Sequence, residues 1–322
     1  MKKLILFPLI LGIAFFTSTS LWGQQLGLNS TYMFNEASFN PAAAGSKSYI
    51  PVHIKSRFQW VGFDGAPVSQ LITAHGEIAK GLGFGGNIYN ESSGPSRSSG
   101  FNLMLSYRLR LSKDNLHGIR IGLGASFTQH VVDVASLTTE IPNDQAISSR
   151  YNNQFVPDAD LGVYYTFSDK GYVGVSVKNL VQSKHDLFSF SASIPNTLNR
   201  HYYFNGGYNF QLKEKWCLKT SVLSRFIEAK TFQAEVNVIG EFNKRFFFGL
   251  GYRHKESVQA LVGAKFGIIQ FGYNYDFGIS QIRKYGNGSH EIFVQFQFQK
   301  KKAEKTDQPG ETPWFKRNRI FK

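Results

Sequence analysis

Apolar and polar residues alternate one by one along several long stretches of this chain, and this period of two restricts the fold more than any other feature. In FNLMLSYRLRL, residues 101–111, every odd-numbered position is apolar, whereas even-numbered positions include Asn102, Ser106 and Arg108. Successive side chains of a β-strand point to opposite faces, so the stretch is predicted to be a strand with one apolar and one polar face. A tilted strand crosses a bilayer in about 9–11 residues, and this stretch has that length.

The polar face indicates what surrounds these strands. PVHIKSRFQW, residues 51–60, places a second set of hydrophilic side chains in phase, namely His53, Lys55, Arg57 and Gln59. Basic and amide side chains on one face fit a polar lumen, and an apolar face with aromatic residues near its ends fits lipid. The alternative is a soluble β-sandwich, whose strands have about five or six residues and whose exposed apolar rows would promote aggregation. The pattern therefore favours a membrane barrel.

The same alternation recurs along most of the chain and predicts an all-β fold, a transmembrane antiparallel β-barrel of about 14 strands. The predicted strands are residues 49–60, 67–78, 82–90, 98–111, 119–131, 158–168, 171–178, 201–211, 216–227, 231–241, 246–254, 257–266, 268–277 and 290–299. An even number of strands returns both ends of a barrel to one side of the membrane. The connections alternate between short and long, apart from short ones near Ala229 and Lys255. Since short turns face the periplasm in such barrels, we expect both termini there.

The two ends of the chain differ from the alternating part. Residues 1–23 combine a basic start, an apolar stretch and small residues, which is typical of a secretory signal peptide. Cleavage before Gln24 and cleavage after Ser20 both fit this pattern. The predicted organisation is a signal peptide (1–23), an N-terminal periplasmic or plug-like segment (24–48), an outer-membrane barrel (49–299) and a basic periplasmic tail (300–322).

Composition and motifs argue against an enzyme. Cys217 is the only cysteine, which excludes an internal disulfide and a cysteine-based metal site. The glycines of GLGFGG lie on a predicted strand without a following helix, which argues against phosphate binding, and the 8 His are scattered. We expect no catalytic residue, cofactor or metal. The net charge of +14 is compatible with nucleic-acid binding, but export to the cell envelope argues against that partner.

The basic tail has two interpretations. It is polar, is interrupted by two prolines and ends with aromatic and basic residues, of which Trp314, Phe315, Lys316, Arg317 and Arg319 are candidate docking residues. Aromatic residues and arginine are enriched at protein interfaces, which favours a peptide that docks on a partner. A polar solubilising tail without fixed structure is the alternative.

The stretch YMFNEASFNPAAAGSK, residues 32–47, precedes the first predicted strand. Pro41 disfavours helix at Asn40, and the small residues from Ala42 to Gly45 allow a backbone to pack closely against a wall. We hypothesise that the segment folds into the lower lumen as a plug or collar, near the lumen-facing Arg57 and Gln59. A purely architectural closure of the barrel is equally compatible with these residues.

The first predicted outer loop has the sequence WVGFDGAP. Gly62, Gly65 and Pro67 are turn residues, and Trp60 and Phe63 are typical of the membrane interface. Gly65, Ala66 and Pro67 form the Gly-Ala-Pro motif. Structural anchoring is favoured over contact with a cargo protein. The long connections at residues 132–157 and 179–200 are better candidates for recognition, because long loops on a rigid scaffold often bind partners.

These motifs together resemble the PorP/SprF family. The resemblance rests on Asn-Pro-Ala-Ala-Ala-Gly, on Arg-Phe-Gln-Trp followed by Gly-Ala-Pro, on VPDADLGVYYTF, and on FGYNYDFGISQIRKYGNGSHEIFVQFQF near the end. It covers nearly the whole chain between the predicted signal peptide and the basic tail.

The resemblance implies an outer-membrane barrel of the Bacteroidota type IX secretion system and of gliding motility. It also implies partners, namely a secreted cargo protein with a C-terminal sorting domain and other components of the secretion or gliding machinery, beside the outer-membrane lipids. The expected function is to bind, secrete or anchor specific adhesin-like cargo at the cell surface. A general or anion-selective porin is the alternative, since basic lumenal residues suit anions.

Overall fold

The computed structural model describes residues 27–111, 117–133, 151–168, 170–184, 197–228, 231–284 and 286–299. Its strands are β1 (Tyr49–Phe58), β2 (Val68–Ala79), β3 (Leu82–Ser93), β4 (Ser96–Arg110), β5 (His117–Asp133), β6 (Tyr151–Phe167), β7 (Gly171–Lys178), β8 (His201–Lys213), β9 (Trp216–Ile227), β10 (Thr231–Phe242), β11 (Phe246–Arg253), β12 (Ser257–Phe266), β13 (Ile269–Gly278) and β14 (Ser289–Gln299). Short 3₁₀ turns occupy Tyr32–Phe34, Glu36–Ser38, Pro41–Ala43 and Gln281–Lys284. Within the described residues, no helix is long and apolar enough to cross a membrane.

The fourteen strands form one closed barrel in which each strand pairs antiparallel with the next. The first and last strands complete the ring, with a register that runs from Tyr49 opposite Gln299 to Phe58 opposite His290. Closure matters in lipid because an unpaired backbone N–H or C=O there costs several kcal/mol. The predicted fold class, a transmembrane antiparallel barrel of 14 strands, is confirmed.

The alternating sequence separates the two faces of the wall. On the outer face, Phe84, Leu105 and Leu123 lie side by side on β3, β4 and β5, and all three are exposed. On the inner face of the same strands, Asn102, Ser106 and other polar side chains are buried. The outer apolar band therefore meets lipid, and the polar set lines the lumen.

The two rims of the barrel differ in their connections. Tyr49 and Gln299 lie at the rim with the short turns, which we call the short-turn end; the opposite rim, with the longer connections, is the loop end. Several short turns have left-handed backbone, as at Gly81 with φ 82° and Gly267 with φ 57°. Tight hairpin turns require this conformation, which glycine adopts without a steric penalty.

The largest difference from the sequence-based strand boundaries concerns β6. The alternation predicts a start at residue 158, but the strand begins at Tyr151, and its partner β5 extends to Asp133. The added residues pair with each other through the β5–β6 ladder. Residues 151–154 have the sequence Tyr-Asn-Asn-Gln, which does not alternate between apolar and polar residues. The alternation therefore gives no signal for this part of β6, although Phe155, which follows, is exposed on the outer face.

Replacing a lipid-facing leucine with arginine tests the position of the membrane. We expect Leu105→Arg, in the middle of the apolar band on β4, to lower the free energy of unfolding by about 2–4 kcal/mol. The matched control is Leu111→Arg at the short-turn end of the same face, where the loss is expected to be about 0–1 kcal/mol. Equilibrium urea unfolding in phosphatidylcholine vesicles measures both. Equal losses at the two positions would contradict the assigned band.

Candidate functional site: a segment inside the barrel

Residues 27–47, which we call the lumen segment, run through the interior of the barrel. At the loop end, the backbone N–H of Thr31 donates to Oε1 of Glu291 at 2.9 Å. Farther along, the ring of Phe34 lies 4.9 Å from that of Phe293, two residues further along β14. The segment thus descends beside β14 and crosses the lumen to the short-turn end, where Gly45 packs against β3.

A buried charged cluster fixes the loop end of this segment. We call it the Ser30 cluster, and it consists of Ser30, Lys55, Arg57, Glu235, Arg253, Asp276 and Glu291. The Ser30 hydroxyl donates to Asp276 at 3.0 Å and accepts from Arg57 at 2.8 Å and from Arg253 at 2.7 Å. One hydroxyl of the lumen segment therefore links side chains of β1, β11 and β13.

Cations and carboxylates alternate in the Ser30 cluster, and the half-buried Glu256 at its edge adds a further carboxylate bonded to Arg253 at 3.2 Å. The three cations are Lys55, Arg57 and Arg253, and the three carboxylates are Glu235, Asp276 and Glu291. Arg57 bonds Asp276 at 2.7 Å and Glu291 at 3.3 Å, and Arg253 bonds Glu235 at 2.7 Å. Since a buried charge without a partner costs several kcal/mol, each member holds the others in place.

Apolar side chains of the lumen segment dock on an apolar part of the inner wall. Phe34 contacts the buried rings of Phe247 and Phe293, and Phe39 stacks on Tyr203 with ring centroids 5.5 Å apart. Tyr32 is fully buried in the same region. The segment is therefore held here by the packing of aromatic rings.

The Asn-Pro pair shapes the middle of the lumen segment. The Oδ1 atom of Asn40 accepts a hydrogen bond from the backbone N–H of Ala42 at 3.0 Å and so caps the 3₁₀ turn, in which Pro41 is the first residue. The Asn40 amide also donates to the Val163 carbonyl of β6 at 3.2 Å. This one side chain therefore sets the local turn and attaches it to the wall.

Glycines in the wall make room for this turn. A Cβ at Gly122 would lie 2.3 Å from the backbone nitrogen of Ala42, and one at Gly83 would lie 2.3 Å from the Ala44 carbonyl oxygen. At Gly162, it would lie 2.1 Å from Oδ1 of Asn40. These glycines belong to β3, β5 and β6 and leave a groove for the Asn-Pro-Ala-Ala-Ala-Gly backbone.

The lumen segment ends in a tight turn at the short-turn end. Gly45 has φ 71°. Its backbone N–H donates to Nδ1 of His75 at 3.1 Å, and its carbonyl oxygen accepts from the Arg120 guanidinium at 2.9 Å. Two residues later, Lys47 pairs with the buried Glu36 at 2.8 Å. Burial disfavours the Lys47 ammonium, but the Glu36 carboxylate outweighs this and raises the pKa of Lys47.

The residues of the first outer loop lie elsewhere, on the loop-end rim. The backbone N–H of Gln59 donates to the Pro67 carbonyl at 2.9 Å, and Gly94 N–H donates to the Gly65 carbonyl at 2.8 Å. The backbone of Trp60 is left-handed, with φ 47°, and its N–H donates to Ser289 at 3.1 Å. These bonds join the loop to its two neighbouring connections.

The sequence-based candidates therefore lie in three places. Asn40, Pro41 and Gly45 lie in the lumen toward the short-turn end, and Arg57 lies in the Ser30 cluster. The candidates from Gln59 to Pro67 lie at the loop-end rim, where the backbone N–H of Ala66 donates to the Phe63 carbonyl. The lumen segment extends farther than the lower-lumen position expected for it, since Ser30 reaches the loop end. Residues 1–26, 134–150 and 185–196 and the tail with Trp314, Phe315, Lys316, Arg317 and Arg319 lie outside the described residues.

The sequence analysis placed Arg57 in the lumen near this segment but missed two other groups of site residues. The first is the set of its partners around Ser30, whose carboxylates are widely separated in the sequence, such as Glu291 in HEIFV. The second is the apolar docking surface, marked by consecutive apolar residues such as Phe246-Phe247-Phe248 and Ile292-Phe293-Val294. Such runs interrupt the period of two because both faces are apolar where the lumen segment docks.

Removing the Ser30 hydroxyl tests the cluster. We expect Ser30→Ala to lower the free energy of unfolding by about 2–3 kcal/mol, since the hydroxyl bonds three charged side chains. Ser38→Ala is the matched control in the same segment, because that hydroxyl donates to the Asn35 carbonyl and accepts a long bond from the Asn29 amide at 3.4 Å, and both partners are uncharged; its loss is expected to be about 1 kcal/mol or less. Urea unfolding in vesicles measures both, and equal losses would contradict the role of Ser30.

Adding a methyl group to the wall tests the groove. Gly122→Ala forces the Cβ against the Ala42 backbone, so we expect a loss of about 1–3 kcal/mol and faster amide hydrogen exchange in residues 40–45. Gly206→Ala is the control, since the nearest atom to its Cβ would be 3.5 Å away. Hydrogen exchange detected by mass spectrometry measures the amide exchange rates of this segment directly. Unchanged exchange in the Gly122→Ala variant would show that the wall and segment are not packed as described.

Among solved structures, similar chains are membrane barrels of low sequence identity. The Ralstonia pickettii toluene transporter TbuX is 10% identical with a TM-score of 0.47, over 86% of this chain and 95% of that chain. The Pseudomonas putida toluene transporter TodX is 7% identical with a TM-score of 0.47, over 86% and 95%. The KdgM porin is 12% identical with a TM-score of 0.38, over 77% and 99%. No curated protein matches the chain.

A family model gives the assignment. The model of the type IX secretion system membrane protein PorP/SprF matches residues 22–296. This span includes the lumen segment, every member of the Ser30 cluster and the wall glycines, and it extends into β14. The sequence resemblance stated above is thereby confirmed, and the chain belongs to the PorP/SprF family of type IX secretion system membrane proteins of the outer membrane.

Proposed function

We propose that this barrel binds specific cargo proteins of the type IX secretion system and secretes or anchors them at the cell surface. The family assignment supports a place in this machinery. The cargo class proposed is a large adhesin-like protein with a C-terminal sorting domain. Further partners are other components of the secretion and gliding machinery and the surrounding outer-membrane lipids. The barrel acts by binding, and no catalytic step is part of the proposal.

The observation that favours cargo binding over a porin is the occupied lumen. A solute channel requires a continuous water-filled passage, whereas here residues such as Thr31, Tyr32, Asn40 and Ala42 of the lumen segment are fully buried. The inner-wall residue Arg253 is fully buried as well. The charged cluster and the glycine groove hold the segment at both ends. A barrel filled by its own chain is suited to act as a rigid support whose rims bind other proteins.

We further propose an orientation in which the short-turn end faces the periplasm. Short turns face that side in outer-membrane barrels, and the end of β14 at Gln299 lies there, which would place the basic tail in the periplasm as a docking peptide for the machinery. The expectation that both termini lie in the periplasm stays a prediction. The first described residues of the lumen segment lie at the loop end, and residues 1–26 lie outside the described residues. Cargo then binds at the loop-end rim.

Deleting the gene and comparing the surface and secreted proteomes with those of the parent strain tests the proposed function. We expect one or a few large cargo proteins to disappear from the surface while other type IX cargo is retained. The reason is that a cargo-specific partner affects its own cargo, whereas a core component would affect all of it. Quantitative mass spectrometry of whole-cell surface digests and culture medium provides the measurement.

The control is re-expression of the wild-type chain, which must restore the missing cargo. Solute uptake is measured in the same strains. An unchanged surface proteome combined with reduced uptake of small anionic solutes would reject the cargo-binding function and support a porin. Loss of every type IX cargo protein would reject a cargo-specific role.

A further inference from the structure

Two neighbouring short turns form a basic patch on the short-turn end. Lys213, the last residue of β8, and Lys215 lie at the turn between β8 and β9. The turn between β10 and β11 contains Lys244 and Arg245. The backbone N–H of Asn243 donates to the Lys215 carbonyl at 2.6 Å, so the two turns are adjacent. We call these four residues the basic rim.

Few carboxylates lie close enough to neutralise the positive charges of the basic rim. All four side chains are exposed, and in the part of the chain that the structure describes none of them forms an ion pair, whereas the nearby Lys219 is paired with Glu241 at 2.6 Å. Glu214 is the one acidic residue within the two turns. The rim therefore presents an excess of positive charge to its surroundings.

Aromatic side chains place the rim at the level of lipid headgroups. The ring of Trp216 lies 4.8 Å from that of Phe242 and 6.1 Å from that of Phe248, directly beside the two turns. Trp216, Phe246 and Phe248 are exposed on the lipid-facing side. Aromatic residues form belts at membrane interfaces, with apolar rings toward the acyl chains and polar groups toward the headgroups.

The backbone at Lys244 makes this residue suitable for substitution. Asn243 and Lys244 have φ 54° and 55°, and Arg245 N–H donates to the Phe242 carbonyl at 3.0 Å. Phe242 pairs with Phe246, so residues 243–245 form the connection. Glycine adopts left-handed backbone without a steric penalty, so a glycine at position 244 removes the charge without straining the turn.

We propose that the basic rim binds the headgroup phosphate of an anionic phospholipid, with the acyl chains against the aromatic side chains below it. Exposed cations next to an aromatic belt fit a phosphate at the membrane surface better than they fit a second protein, because the belt is already in lipid. The assignment of this lipid to the periplasmic leaflet rests on the orientation proposed above. The phosphate-binding site itself does not depend on which cargo is bound.

Glycine substitutions at two lysines with left-handed backbone conformation test the proposal. Lys244→Gly removes a rim charge and relieves the backbone, so thermal stability is expected to be unchanged or raised. Lys255→Gly is the matched control, because Lys255 has φ 59° and lies in the next hairpin turn at the loop end. The full chain is reconstituted in phosphatidylcholine vesicles with spin-labelled phosphatidylglycerol or spin-labelled phosphatidylcholine. The ratio of their association constants is measured by electron paramagnetic resonance.

The wild type is expected to bind phosphatidylglycerol more tightly than phosphatidylcholine. Lys244→Gly is expected to reduce the ratio of the two association constants about fivefold, because each cation near an anionic lipid surface contributes about 1 kcal/mol of binding free energy. Lys255→Gly is expected to leave it unchanged. Lys215→Gln provides a second rim variant with an unaltered backbone and the same expected loss. No wild-type preference, or equal losses in Lys244→Gly and Lys255→Gly, would overturn the proposal.

Discussion

Hydrogen bonding between β1 and β14 closes the barrel, and the rest of the structure depends on this closure. Without it, both edge strands would expose unpaired backbone groups to lipid, at several kcal/mol for each group. Closure also creates an interior into which every second side chain points. The polar groups of that interior, among them Arg57 and Glu291, then need partners inside the barrel. The lumen segment supplies many of them.

The Ser30 cluster and the glycine groove hold the lumen segment by different physical means. Around Ser30, directional bonds between opposite charges fix the chain, and their partners come from β1, β10, β11, β13 and β14. At Gly83 and Gly122, the missing side chains allow backbone to approach backbone. The first means fixes the segment at the loop end, and the second fits it toward the short-turn end. The segment is thus held at both ends of the lumen.

Parts of the site were accessible from the sequence, and other parts were not. The Asn-Pro-Ala-Ala-Ala-Gly stretch indicated close packing against a wall, because its residues are small and Pro41 restricts its neighbour. The glycines that receive it are in the sequence as well, but glycine in a strand also marks bulges and close approaches of other kinds. Arg57 was placed correctly in the lumen, yet its partners Asp276 and Glu291 are 219 and 234 residues away.

The sequence by itself determined the strands, the lipid-facing and lumen-facing sides and the closed barrel, because a period of two defines the face of every residue along a strand. The tertiary structure decided the path of residues 27–47, the partners of Ser30 and the contact between Phe34 and Phe293. Alternation tells whether a side chain points inward, but it contains no information on its height or angular position in the lumen. The height and the angular position depend on the register of all fourteen strands. Only the closed ring brings Ser30 to Glu291, 261 residues away.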